Sequence, residues 1–189
     1  MKLLYSTTIL LLISGFSFAQ QVKTEFYENG TKKSEGVLLG ADNDSPQDIE
    51  KQSKDVRYQK SINAFKDGKW TYWFENGQLS AEQYYNKGEM TGVWKSWYKD
   101  GKLGSEVNLT KGTAMYWYAN GNKSSEGKMS TGMHHEGNWT GWYENGNKNY
   151  EGAYINGQKE GTWKWYNEKG EKLQEEVYKA GALISSKKN

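Results

Sequence analysis

The sequence predicts an all-β fold built from about six tandem antiparallel β-hairpins, and three observations predict it. A glutamate stands five residues after a turn glycine six times: Glu35, Glu82, Glu106, Glu126, Glu151 and Glu175 follow Gly30, Gly77, Gly101, Gly121, Gly146 and Gly170. Glycine also recurs in two fixed blocks, one of nine residues (Gly68 to Gly77, Gly137 to Gly146) and one of eleven (Gly77 to Gly88, Gly146 to Gly157). A self-similar period of about 24 residues is the signature of a repeat array. Finally, Asn76-Gly77, Asp100-Gly101, Asn120-Gly121 and Asn145-Gly146 separate an aromatic segment from a polar one. Such dipeptides accept the positive φ angles of a type I′ turn, whose twist matches the flanking strands.

Taken in order, residues 1–19 read as a signal peptide. Met1-Lys2 is a basic start, Leu3 to Phe18 is largely apolar but broken by Ser6, Thr7, Thr8 and Ser14, and Ser17-Phe18-Ala19 offers small residues for cleavage after Ala19. That stretch is too short and interrupted for a spanning helix, which needs about 20 apolar residues. No later segment comes close, so no integral membrane segment is expected after cleavage. Residues 20–183 read as the array, with 184–189 as a disordered tail. An insertion at about 41–66 interrupts the first repeat. There Ser45-Pro46 has the character of a helix N-cap followed by the first helical residue, predicting a short helix from Pro46 to Arg57.

Each nine-residue block reads G-x-W-x-x-W-Y-x-N-G, and all nine tryptophans lie in such blocks. With a strand period of two, Trp70 and Tyr72 share one face while Trp73 takes the other, so neither face is plainly polar. On the second strand Leu38, Tyr85, Leu109, Met129, Tyr154 and Tyr178 form a stripe. Gly36, Gly127 and Gly152, two residues earlier on the same face, leave room for a ring to lie flat over the backbone. With few aliphatics, no cysteine and 15% aromatics, packing falls to the rings. A net charge of +2 without a basic run gives no argument for nucleic acid.

Candidate sites divide into structural and binding residues. Six carboxylates on successive hairpins make no catalytic set, since glycoside hydrolysis needs one pair at a set separation. They are expected to accept hydrogen bonds from lysine, indole, tyrosine or turn amides. His134-His135 and Glu136 are expected in a solvated turn, because a zinc site needs three or four convergent ligands. Asp42, Asn43, Asp44 and Asp48 lack the glycine and terminal glutamate of a calcium loop. With no nucleophile motif, phosphate loop, metal or cofactor set, the reading is of a protein that is not an enzyme. Trp73, Trp97, Trp117 and Trp142 are the candidate partner-binding residues.

The pattern YENGxxxxEGxYxNGxxxGxWxxWYENG, best preserved from Asn145 to Trp165, resembles the bacterial MORN-repeat variant, some members of which carry a YwqK-type antitoxin label. The resemblance runs from about Phe26 to Leu183, departing where the glycines merge at Gly112, at Ala114 in place of a tryptophan, and at Lys128. It implies an elongated, single-layer, twisted antiparallel sheet and a scaffold or adaptor that binds another protein. With the leader, it places that function in the periplasm, the cell envelope or the extracellular space. Alternative expectations are an immunity protein that neutralises a toxin by binding, or a module binding cell-wall glycan. Self-association through edge strands is a further expectation.

Overall fold

The computed structural model describes residues 9–10, 20–39 and 66–189. The insertion helix expected at 46–57 and most of the leader therefore lie outside the described residues. All described elements are strands, paired antiparallel, and there is no helix among them. The chain divides into two compact units, residues 1–92 with 99–101, and residues 93–98 with 102–189. The first contains β1 (Ile9–Leu10), β2 (Gln20–Phe26), β3 (Lys32–Leu39), β4 (Lys66–Trp73) and β5 (Leu79–Asn86). β1 is a two-residue strand against Gln21 and Val22 of β2. β6 (Glu89–Trp97) enters the second unit at Val93. There follow β7 (Leu103–Asn108), β8 (Thr113–Trp117), β9 (Lys123–Met129), β10 (His135–Trp142), β11 (Lys148–Ile155), β12 (Gln158–Tyr166), β13 (Lys172–Lys179) and β14 (Ala182–Lys188). Within each unit, neighbours in the chain are neighbours in the sheet. β2–β3 through β12–β13 make six hairpins, as the six glutamates predict.

The turns exchange the roles expected of them. At Gly30, Gly77, Gly121 and Gly146 the glycine N–H donates to the residue three earlier (2.9 Å each), and only the glycine has positive φ. This is a type I turn closed by a left-handed glycine, a three-residue loop, not the type I′ turn expected from Asn-Gly. In all four turns the asparagine keeps ordinary φ while its Oδ1 accepts the backbone amide two residues on. Asn120 Oδ1 accepts the Asn122 amide (2.8 Å) and its Nδ2 donates to Glu144 O of the following turn (3.0 Å). Asn29 and Asn145 reach Glu75 O and Glu168 O in the same way. True paired positive φ values occur at the joints between hairpins: Lys87-Gly88 (49°, 87°), Asn156-Gly157 (51°, 77°) and Ala180-Gly181 (47°, 80°).

At four of the hairpin turns a tyrosine two residues before the Asn or Asp ties one hairpin to the next; at Asn76-Gly77 that position is Phe74. Tyr27, Tyr98, Tyr118 and Tyr143 donate their hydroxyls to the backbone oxygens of Trp73, Trp117, Trp142 and Tyr166 at 2.7–2.9 Å. Each accepting residue sits beside a register shift on its strand. The consensus W-Y-x-N-G thus encodes an inter-hairpin hydrogen bond in four of the six repeats. Tyr143→Phe keeps the ring and deletes one such bond, so it should lower unfolding free energy by about 1 kcal/mol in a denaturant melt.

Residues 184–189 are not a disordered tail. Ala182–Lys188 is β14, in register with β13 from Lys179↔Ala182 to Gln174↔Lys188. The reason is local: the tight Ala180-Gly181 turn reverses the chain, and Gly181 N–H donates to Lys159 O (3.0 Å) as the equivalent turn glycines do to Lys66 and His135.

Candidate binding face

Each sheet has two unlike faces, and the sequence makes them so by alternation. One face holds Trp70, Trp139 and Trp163; the last two are 2% and 1% exposed. Burial this deep requires the ring to lie against backbone. Between hairpins, each of these strands carries a two-residue bulge opposite its predecessor: Glu35↔Thr71 follows Val37↔Asp67, and Glu151↔Lys164 follows Ala153↔Glu160. The bulge glycines Gly68, Gly137 and Gly161 have φ of 64°, 59° and 68°. The tryptophan then folds over Gly36, Gly127 or Gly152 of the preceding strand, where a Cβ would collide with the indole. Its N–H donates to Val37 O (3.0 Å), Lys128 O (2.9 Å) or Ala153 O (3.1 Å), the carbonyls beside the interrupted ladder. Where the third repeat has Val107 in place of glycine, the facing residue is Ala114, also buried.

A cation or a histidine covers each of these rings from four residues upstream. Lys66 Nζ stands 4.7, 5.4 and 5.1 Å from the ring centroids of Trp70, Tyr72 and Tyr85. Lys159 stands 4.6, 4.5 and 4.7 Å from those of Trp163, Trp165 and Tyr178. Desolvation lowers the pKa of both ammonium groups, while the π faces hold the charge. His135 takes this place over Trp139, stacked at 3.8 Å with its edge to Tyr154 at 4.9 Å. The expected solvated histidine pair is therefore corrected: His134 is exposed in the turn, but His135 packs against the core, and desolvation lowers its pKa. The shared spacing to the tryptophan was the signal in the sequence.

The opposite face carries the glutamates as one rung. In the first unit it runs Thr24, Glu35, Thr71, Glu82 across β2 to β5. In the second it runs Lys95, Glu106, Met115, Glu126, Thr140, Glu151, Lys164, Glu175, Lys187. A neutral or basic residue separates successive glutamates, so they stand two strand spacings, about 9–10 Å, apart. Every one of the six also has a lysine. Glu35, Glu126, Glu151 and Glu175 pair with Lys32, Lys123, Lys148 and Lys172 at 2.7–2.8 Å, each two residues after the turn glycine. Where that position is Leu79 or Leu103, the facing strand supplies the cation instead: Lys69 for Glu82, and Lys95 for Glu106 at 3.1 Å.

Glu151 has the fullest shell. Lys148 holds its carboxylate, and Tyr166 Oη (2.9 Å) and Lys164 Nζ (3.2 Å) add to it. Chiefly through the Lys148 hydrogen bond, its pKa falls to about 2. A folded-state pKa below the unfolded value stabilises the fold above the unfolded pKa, and the benefit drains away as pH falls through the folded one. Between about pH 4.5 and 2 the native protein should therefore lose melting temperature that Glu151→Gln has already lost at pH 7. Thermal melts of the two proteins across that window check it.

Trp73, Trp97, Trp117 and Trp142 lie on this rung face and are all half-buried. The lysine of the preceding hairpin covers one side of the indole: Lys32 is 5.1 Å from Trp73 and Lys123 is 5.2 Å from Trp142. Beside Trp97 and Trp117 the register places Leu103 instead, paired with Trp97, and Met115 in the rung between Glu106 and Glu126. The second unit thus presents a three-strand apolar stretch bordered by lysine–glutamate pairs. Among the described residues no group of three or more His, Cys, Asp or Glu could hold a metal, and no helix is long and apolar enough to cross a membrane.

The MORN repeat variant family matches residues 66–87, 90–109, 136–156 and 159–180, that is, the hairpins of β4–β5, β6–β7, β10–β11 and β12–β13. No curated protein matches the chain. Among solved structures, a chain in the crystal structure of the GtfA/B complex bound to UDP and GlcNAc is similar at 12% identity, with a TM-score of 0.24. The match covers 69% of this chain and 22% of that one.

Proposed function

We propose, on the premise that this is a chain of MORN repeat variants, repeats that commonly bind proteins or membranes, that it is a non-enzymatic exported scaffold binding another protein in the cell envelope. The observation that carries the reading is the half-buried tryptophan row Trp97, Trp117 and Trp142 on the rung face of the second unit. Tryptophan at the centre of an interface, rimmed by polar groups, is the residue type most often responsible for binding energy. The other tryptophan row is spent on the core. Every rung glutamate is occupied by lysine, which leaves these carboxylates as rim and support. The leader read from residues 1–19 supports export.

A platform for glycan is the weaker reading, because stacking a sugar needs an open indole face and lysines already cover Trp73 and Trp142 on one side. The test is binding by Trp117→Ala and Trp142→Ala proteins whose melting temperatures stay near native. Loss of one defined protein partner by both supports the scaffold. Retention on peptidoglycan that the same substitutions abolish, with no protein partner affected, overturns it.

A further inference from the structure

Five asparagines precede a glycine: Asn29, Asn76, Asn120, Asn145 and Asn156. In such a pair the glycine amide nitrogen, with no side chain to hinder it, can reach the carboxamide carbon of the asparagine. The fold guards four of the five against that reaction. At Asn29, Asn120 and Asn145 the carboxamide is held at both ends. Oδ1 accepts the amide two residues on (2.8–2.9 Å), and Nδ2 donates to a backbone oxygen of the following turn (2.8–3.1 Å). Asn76 keeps both bonds within its own turn, to Gln78. Asn156 lies exposed in the turn between β11 and β12, where only its backbone N–H is engaged, by Glu136 Oε2 (3.0 Å). Among the described residues its carboxamide makes no hydrogen bond. A base also stands beside this pair and beside none of the others. A Cβ at Gly157 would lie 3.5 Å from Nδ1 of His134. At Gly30, Gly121 and Gly146 nothing comes within 4 Å of the same position, and at Gly77 only the Thr31 methyl does, at 3.8 Å.

We propose that Asn156-Gly157 is a self-modifying site, converted by water to aspartate and isoaspartate with His134 as the assisting base. The Gly157 amide nitrogen attacks Cγ of Asn156 and passes its proton to the imidazole. The side-chain nitrogen of Asn156 takes a proton and leaves as ammonia, closing a five-membered succinimide. Water then opens the ring at either carbonyl, so that one water is consumed and one ammonia released, with no other co-reactant. Imidazole suits both transfers because it accepts and returns a proton near neutral pH. Gly157 N–H must first release His135 O (3.0 Å), and the other four glycines hold an equivalent bond. The product sets a second carboxyl group beside Glu136, and isoaspartate adds a backbone carbon to a tight turn. Ageing therefore charges and loosens the β11–β12 joint.

The test holds the full chain folded at neutral pH and follows it by peptide mapping with mass spectrometry, which separates asparagine, aspartate and isoaspartate. Asn156 should convert at least about tenfold faster than Asn29, Asn120 and Asn145, the factor set by the two side-chain hydrogen bonds those sites must break. In denaturant, where those bonds are gone, the five rates should converge. His134→Ala, at an exposed turn position, should slow Asn156 several-fold and leave Asn76 unchanged, and added free imidazole should restore the lost rate. Conversion of Asn145 as fast as Asn156 in the folded protein, or none at Asn156, would overturn the site. An Asn156 rate untouched by His134→Ala would overturn the assisted chemistry.

Discussion

Trp163→Ala should lower the unfolding free energy by about 3–5 kcal/mol, the loss seen when a large buried aromatic is removed. Trp163 is 1% exposed, donates its indole N–H to Ala153 O, and touches the rings of Tyr150, Tyr154, Trp165 and Tyr178. Its removal leaves a void against backbone and strips Lys159 of one of its three rings. A sheet one strand thick has no second layer to collapse into that void, so the cost should lie toward the upper end of the range. Denaturant unfolding followed by far-ultraviolet circular dichroism measures it without relying on the lost fluorophore.

Gly152→Val should be comparably damaging, by overpacking. Any Cβ at Gly152 meets the five-membered and shared ring atoms of Trp163, so the ring must leave its seat, at a cost of about 1–3 kcal/mol or more. The third repeat shows what compensates: Val107 faces Ala114, and both are buried. The double variant Gly152→Val with Trp163→Ala should therefore be more stable than the sum of the single losses by at least about 1 kcal/mol, the coupling expected of residues in direct contact. Glycine and tryptophan are then one unit, chosen together.

Much of this was legible in the sequence, because the repeat reports each constraint several times. Gly36, Gly127 and Gly152 announced the space for a ring, and the structure puts Trp70, Trp139 and Trp163 there. The number of hairpins followed from the spacing of the glutamates. Turn type was harder to read. Asn-Gly favours type I′ in isolation, but at Asn29, Asn120 and Asn145 the side-chain amide bonds the next turn, a partner that exists only once hairpins stand side by side. The bulges are hidden for the same reason, since they are differences in register between two strands. His135 was misread because its neighbour His134 is solvated, and one residue of strand alternation separates solvent from the core. The tail was misread because Ala180, left-handed at φ 47°, carries no turn signature.

The division of the tryptophans into a core row and a recognition row can be tested in place. A photo-crosslinking amino acid at Trp117 and Trp142, on the rung face, should yield one discrete protein adduct in the native envelope. The same group at Lys111, in the exposed turn between β7 and β8, should yield none. Adducts that are absent from the rung face, or indistinguishable between the three positions, would contradict a partner-binding role for that row.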